Sequence, residues 1–168
     1  MEESLNRFSE RWEILGIRSR KSEMVGRMGI RKFHKETETP NFLGLRISGT
    51  GLACLDIDNL EGSVKNFEGI IYDQGINLSD YFVEKTLNGG YHIFFRIPKE
   101  LKKRNLYGCK KLGVRFDLLY SGRVFTTPSS YESREYRFLN IDPFSIISID
   151  QIQDYTDPLI QLFINGSD

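Results

Sequence analysis

At 168 residues, with 39% hydrophobic and 27% charged side chains, the chain has the makeup of an ordinary globular protein and the length for one domain with a real core. No apolar run approaches the roughly 18 residues of a membrane span, and the opening Met1-Glu2-Glu3-Ser4 does not read as a signal peptide, so no membrane partner is expected. Only Cys54 and Cys109 are present, which points to neither a disulfide framework nor a zinc site and fits a cytoplasmic or nuclear setting. The formal net charge is zero but unevenly spread: Arg18 to Lys35 carries seven bases and one acid, Lys99 to Arg115 again seven and one, and Asn140 to Asp168 five acids and no base. Two local basic runs in a neutral chain read either as solvated surface or as a groove for a polyanion.

In chain order, Ser4 to Leu15 reads as a short amphipathic helix, with Leu5, Phe8, Trp12 and Leu15 at helical spacing. Arg18 to Glu38 reads as irregular, and Pro40-Asn41 as a turn. Phe42 to Ile47 and Leu52 to Ile57 read as strands paired in a hairpin around Ser48-Gly49-Thr50-Gly51. Gly62 to Gln74 is a helix with Val64, Phe67, Ile70 and Ile71 as its apolar stripe. Tyr81 to Thr86 and Tyr91 to Ile97 are strands around the tight turn Asn88-Gly89-Gly90. Lys99 to Lys111 reads as a basic connection. Val114 to Leu119, Arg123 to Thr127 and Glu135 to Leu139 are strands, and Asp150 to Phe163 a helical tail interrupted near Pro158. The expected fold class is α+β, a mainly antiparallel sheet covered by helices, in a single domain over 1–168.

Four stretches carry chemistry. In Gly51-Leu52-Ala53-Cys54-Leu55-Asp56-Ile57-Asp58 an apolar strand leads into two carboxylates spaced i, i+2, on one face. Such a pair repels unless a cation or proton sits between, so the stretch is either a divalent-metal site or a strand ending in a polar turn. In Asn88-Gly89-Gly90-Tyr91-His92, the glycine pair permits close backbone approach and its N–H groups could cradle an anion. Alternation then puts His92 with Phe94 on one face, as a phosphate ligand or a packed core residue. Asp117, inside the apolar strand Val114-Arg115-Phe116-Asp117-Leu118-Leu119, needs a partner. That partner is a salt bridge from Arg115 or Arg123, or a metal shared with Asp56 and Asp58. Gly122 to Ser130 reads as a strand ending in hydroxyl-rich turn residues, with Arg123 and Ser129 or Ser130 available to a phosphate.

In this order and spacing, the motifs resemble the bifunctional primase–polymerase (prim-pol) domain of the archaeo-eukaryotic primase superfamily. The resemblance covers residues 41–139, flanked by a helical segment 1–40 and an acidic helical tail 140–168. It implies an RRM-like catalytic core and template-directed nucleotidyl transfer with two divalent ions, Mg²⁺ or Mn²⁺. It also implies Asp56, Asp58 and Asp117 as metal ligands and catalytic residues, and His92 as the contact to the triphosphate of the incoming nucleotide. Gly89, Gly90, Asn88, Arg123 and Ser129 complete the expected nucleotide-binding set. The implied partners are nucleoside triphosphates, a single-stranded or primed DNA template along the basic stretches, and a replicative helicase in the same or a separate chain. The implied place is the cytoplasm, or the replication site of a mobile element or virus. Three positions depart from the pattern: Asn88 replaces the usual Ser, Leu87 stands where Pro is common, and Tyr91 where a basic residue is common. Tyr91 either weakens the triphosphate contact or offers its ring to sugar or base. No Cys/His cluster or Walker motif accompanies the domain. Two other functions share some of these features. One is a non-catalytic nucleic-acid-binding replication module. The other is a nucleotide-sugar glycosyltransferase using Asp56-x-Asp58, which requires parallel strands in several βαβ units.

Overall fold

The computed structural model describes residues 19–21, 41–131, 133–139 and 149–165. The helix expected over Ser4 to Leu15, almost all of the basic stretch from Arg18 to Glu38, and residues 140–148 of the tail lie outside the described residues. In chain order the elements are β1 (Ser19–Lys21), β2 (Asn41–Arg46), β3 (Leu52–Ile57), α1 (Ser63–Asp73), β4 (Phe82–Lys85), β5 (Tyr91–Arg96) and β6 (Leu106–Lys111). They continue with β7 (Val114–Leu119), β8 (Arg123–Tyr131), β9 (Arg134–Glu135), β10 (Arg137–Phe138) and α2 (Pro158–Ile164). Two sheets result, one of order β10-β4-β5-β3-β7-β6 and one of order β1-β2-β8-β9. Every strand pairing in them is antiparallel, and the fold is α+β as expected.

Strand β3 occupies the centre of the larger sheet because its sequence is apolar on both faces. Ala53, Leu55 and Ile57 join Ile93, Phe95, Phe116 and Leu118 against Phe67 and Ile71 of α1 and Leu159, Ile160 and Phe163 of α2. On the other face, Leu52, Cys54, Phe82 and Phe94 pack against Leu45, Ile47 and Val124 of the smaller sheet. The molecule is thus layered as helices, larger sheet, smaller sheet. Each large apolar side chain so buried contributes roughly 1.5–3 kcal/mol.

Helix α1 crosses from β3 to β4, which run parallel with β5 between them. It ends where expected: the Gly75 N–H donates to the Tyr72 carbonyl and the Ile76 N–H to the Ile71 carbonyl, the paired bonds of a Schellman cap. Pro158 begins α2 instead of interrupting a helical tail. It takes the first helical position, where a missing N–H costs nothing, and the Asp157 carboxylate accepts from the Leu159 N–H at 2.9 Å.

Three expectations are corrected. First, β2 and β3 are not a hairpin: the link 48–51 carries the chain from one sheet to the other, and β2 pairs with β1 and β8. A hairpin would leave one apolar face of β3 without its layer. The second crossing between sheets, at 120–122, is laced to the first. The Ile47 N–H donates to the Gly122 carbonyl and the Gly122 N–H to Ser48 Oγ. Second, Leu106 to Lys111 of the basic connection is the edge strand β6, paired to β7. Its half-exposed and exposed side chains hide the alternation that would mark a strand, and lysines suit an edge. Third, the hydroxyl-rich turn at 127–130 is strand: β8 runs on to Tyr131 and pairs Ser130 with Asn41. Pro128 is tolerated because it falls where the β2–β8 register shifts.

The turn between β4 and β5 packs closely against the end of β3. Gly89 has a left-handed φ of 82°. A Cβ on Gly90 would sit 2.2 Å from the Ile57 carbonyl oxygen. By contrast, a Cβ on Gly69, inside α1, would meet nothing within 4 Å. Gly90→Ala should therefore lower stability by about 1–3 kcal/mol, while Gly69→Ala should raise it by about 0.5–1 kcal/mol, both read from urea unfolding curves.

Candidate active site

Four strands place four ionisable side chains in one row. Across β4, β5, β3 and β7 the register pairs Glu84 with His92, His92 with Asp56, and Asp56 with Asp117. Directly opposed residues share a face with their Cβ atoms about 4.5–5.5 Å apart. This is the face that carries Cys54 and Phe94, turned toward the smaller sheet. Asp58 follows two residues after Asp56, one past the end of β3, and alternation gives it the same side.

The imidazole of His92 is buried and held on every side. Nδ1 lies 2.9 Å from Glu84 Oε1, and Nε2 lies 3.4 Å from Asp56 Oδ1. The ring stacks on Tyr136 at 5.6 Å and meets Phe94 edge-on at 6.0 Å. Burial alone would depress the basicity of His92, but the carboxylates of Asp56 and Glu84 outweigh it and lift its pKa to about 10. Glu84 is itself fully buried, and its second oxygen accepts from the Thr126 hydroxyl of β8 at 2.9 Å.

The three acids feel one another. Burial raises the pKa of Asp58, and the charges of Asp56 and Asp117 raise it further against the pull of Arg115 and His92. Burial likewise raises Asp117. The Gly108 N–H, donating to Asp117 Oδ1 at 2.6 Å, opposes that, and Asp56 adds to it. Hard carboxylate oxygens on one sheet face, two of them destabilised as anions by burial and by each other, fit a hard divalent cation such as Mg²⁺ or Mn²⁺. Among the described residues, no three His, Cys, Asp or Glu side chains stand close enough to form a ready-made metal cage. Asp56 and Asp117 are turned to His92 and Gly108 instead.

The remaining expected residues are distributed differently. Arg123 does not join the row. On β8, Val124 and Thr126 are buried toward the larger sheet, so Arg123 takes the opposite face. The cation beside the acids is Arg115, two residues before Asp117 on the same face, whose charge reaches both Asp58 and Asp117. Its Nε is buried without a hydrogen-bond partner. The amides of the glycine turn are already committed, Gly89 N–H to the Thr86 carbonyl and Gly90 N–H to Thr86 Oγ1. The turn brings backbone against the end of β3 but offers no amide cradle. Asn88 is fixed on both sides, its carbonyl by Asn59 Nδ2 at 2.8 Å and its side-chain oxygen by Arg134 at 3.0 Å. Tyr91 points to the helix layer, where its hydroxyl donates to Glu68 at 2.6 Å, so its ring is not available to a nucleotide on the acid face. Ser129 lies in β8, and its side chain is outside the described residues.

A family model described as the N-terminal domain of bifunctional DNA primase/polymerase matches residues 14–154. The chain belongs to the prim-pol family. The match is longer than the stretch 41–139 that carries the motifs, and it takes in both basic runs. No curated protein and no solved structure matched the chain.

Within the prim-pol domain, Glu84, Thr126 and Tyr136 line the row without having been singled out by the motifs, whereas Arg115 was expected as a partner of Asp117. One signal for Glu84 was present: in Phe82-Val83-Glu84-Lys85 it alternates in phase with Phe82, on the face that must be buried. Removing one repelling charge should relieve the site. Asp58→Asn is expected to unfold at a higher temperature than the parent in EDTA at neutral pH, because the parent loses stability as pH rises through the raised Asp58 pKa. The rise that Mn²⁺ gives the parent should shrink in the variant. Differential scanning fluorimetry with and without metal measures both.

Proposed function

We propose that the chain is a nucleotidyltransferase, a DNA primase or polymerase that joins nucleotides on a single-stranded or primed template. The observation that carries this reading is the register that sets Asp117 opposite Asp56 and Asp56 opposite His92 on one face. Asp56, Asp58 and Asp117 would hold two divalent ions. Bound there, such ions lower the pKa of the attacking 3′-hydroxyl and neutralise the leaving pyrophosphate. The chain's own residues do the rest. Asp56, Asp58 and Asp117 supply about three negative charges on one side of the site, and the triphosphate of the incoming nucleotide supplies the others. His92 presents its Nε2 edge toward that triphosphate from within the sheet, and Arg115 lends a positive charge beside Asp58 and Asp117. Asn88 and the Gly89-Gly90 turn bring backbone against the end of β3, beside Asp58.

An RRM-like description of the core is supported by the strand order β4-β5-β3-β7, with α1 as the crossover between the parallel pair β3 and β4. An extended connection containing β6 replaces a second crossover helix. The basic strand β6 lies beside β7, which carries Asp117, and exposes Tyr107 with Lys110 and Lys111 nearby. Lysines for phosphates and a ring for stacking are the groups a template strand needs. A glycosyltransferase would need several parallel βαβ units, whereas the described strands pair antiparallel around one crossover helix.

Primer extension and de novo synthesis with labelled nucleotides, in Mg²⁺, Mn²⁺ or EDTA, test the proposal. Asp56→Ala and Asp117→Ala should each reduce incorporation at least about 100-fold while far-UV circular dichroism stays at the parent value. Unchanged incorporation in either variant would remove the metal role. DNA binding without incorporation by the parent would leave a non-catalytic module.

A further inference from the structure

A carboxylate at the centre of a sheet is costly unless its charge is compensated. Glu84 is 0% exposed, and both of its oxygens are engaged, one by His92 Nδ1 and the other by the Thr126 hydroxyl. With the Thr126 hydroxyl donating to one Glu84 oxygen, the other oxygen faces Nδ1 as an acceptor. That leaves Nε2 as the nitrogen facing Asp56. Stacking on Tyr136 and the edge contact with Phe94 then fix the plane of the ring. Carboxylates that orient a metal-ligating imidazole through its second nitrogen are a recurring device, and losing one typically costs 10–100-fold in metal affinity or activity; the same geometry is present here.

We propose that Glu84 is a positioning residue. Braced by Thr126 from the second sheet, it holds His92 by Nδ1 so that Nε2 meets the triphosphate of the incoming nucleotide. This inference rests on the nucleotide role of His92 given above. It adds that the role depends on a buried residue which touches no substrate.

The test is a double-mutant cycle on the full chain, reading KM for the nucleotide, kcat, and Kd for single-stranded DNA. Glu84→Gln keeps the shape of the side chain and removes its charge. It should raise KM about 10-fold or more and leave Kd for DNA at the parent value. His92→Gln should raise KM at least as much. The double variant should be no worse than His92→Gln alone, because the two residues act as one unit. Thr126→Val, which removes only the brace, should move KM in the same direction by less. If His92→Gln raises KM and Glu84→Gln does not, or if their effects multiply, the positioning role fails while the nucleotide role stands. If His92→Gln leaves KM unchanged, the nucleotide role itself fails.

A spectroscopic arm covers the case in which Glu84→Gln does not fold. The chain has two histidines, His34 and His92, so long-range ¹H–¹⁵N spectra of the metal-free parent, assigned with His92→Gln, identify the His92 nitrogens directly. A hydrogen-bonded, downfield Nδ1–H on His92 is expected. An unprotonated Nδ1 would overturn the proposal.

Discussion

The site depends on one unfavourable juxtaposition, the placement of Asp117 directly across from Asp56 in the middle of a buried sheet. Like charges on opposed strands destabilise a ladder, and this ladder holds because the strands that carry it are packed into apolar cores on both faces. The core on the helix side and the core toward the second sheet clamp β3 between them. The pairing is therefore set by packing rather than by the acids, and the repulsion is left as a feature of the site. His92 and Gly108 relieve it partly, each by hydrogen bonding to one carboxylate. A divalent cation would relieve it further. The same residues that weaken the sheet as a sheet would let it gain from a bound cation.

The charge distribution around the row has two distinct parts. Inside, Glu84 and His92 form a dry pair shielded by Tyr136, Phe94 and the second sheet. Outside, Asp58 and Asp117 are partly solvated, with Arg115 next to them and the lysines of β6 beyond. Interactions in the inner part are screened little by water or salt, and those in the outer part considerably. The inner pair is suited to fixed geometry and the outer groups to contact with ions from solvent.

Much of this was legible in the sequence because the relevant signals are local. The apolar run ending in Asp56-x-Asp58, the glycine turn before His92 and the lone acid in the strand at Asp117 each imply their own face by simple alternation. What was not legible depends on which strands become neighbours. Glu84 looks like an ordinary strand acid until β5 is known to place His92 beside it. Arg123 and Arg115 are both bases near the ends of strands, and only the assignment of β8 to a different sheet turns one away and leaves the other facing the acids. The anion cradle expected of Gly89 and Gly90 fails for a similar reason. Thr86, which opens the turn motif, takes both amides. The turn's glycines are explained instead by the carbonyl of Ile57, 33 positions earlier than Gly90 in the chain.

The Thr126 hydroxyl is a mechanical link as well as a hydrogen-bond donor. It belongs to one sheet and grips a carboxylate in the other, so the imidazole's aim is set partly by how the two sheets slide over each other. Val124 lies on the same face of β8, inside the apolar layer between the sheets. Close-packed interiors pass small displacements on instead of absorbing them. A change of one methyl group at Val124 would therefore reach the row of ionisable groups as a shift of the histidine ring. The apolar layer between the sheets is in this sense a tuning screw for the imidazole.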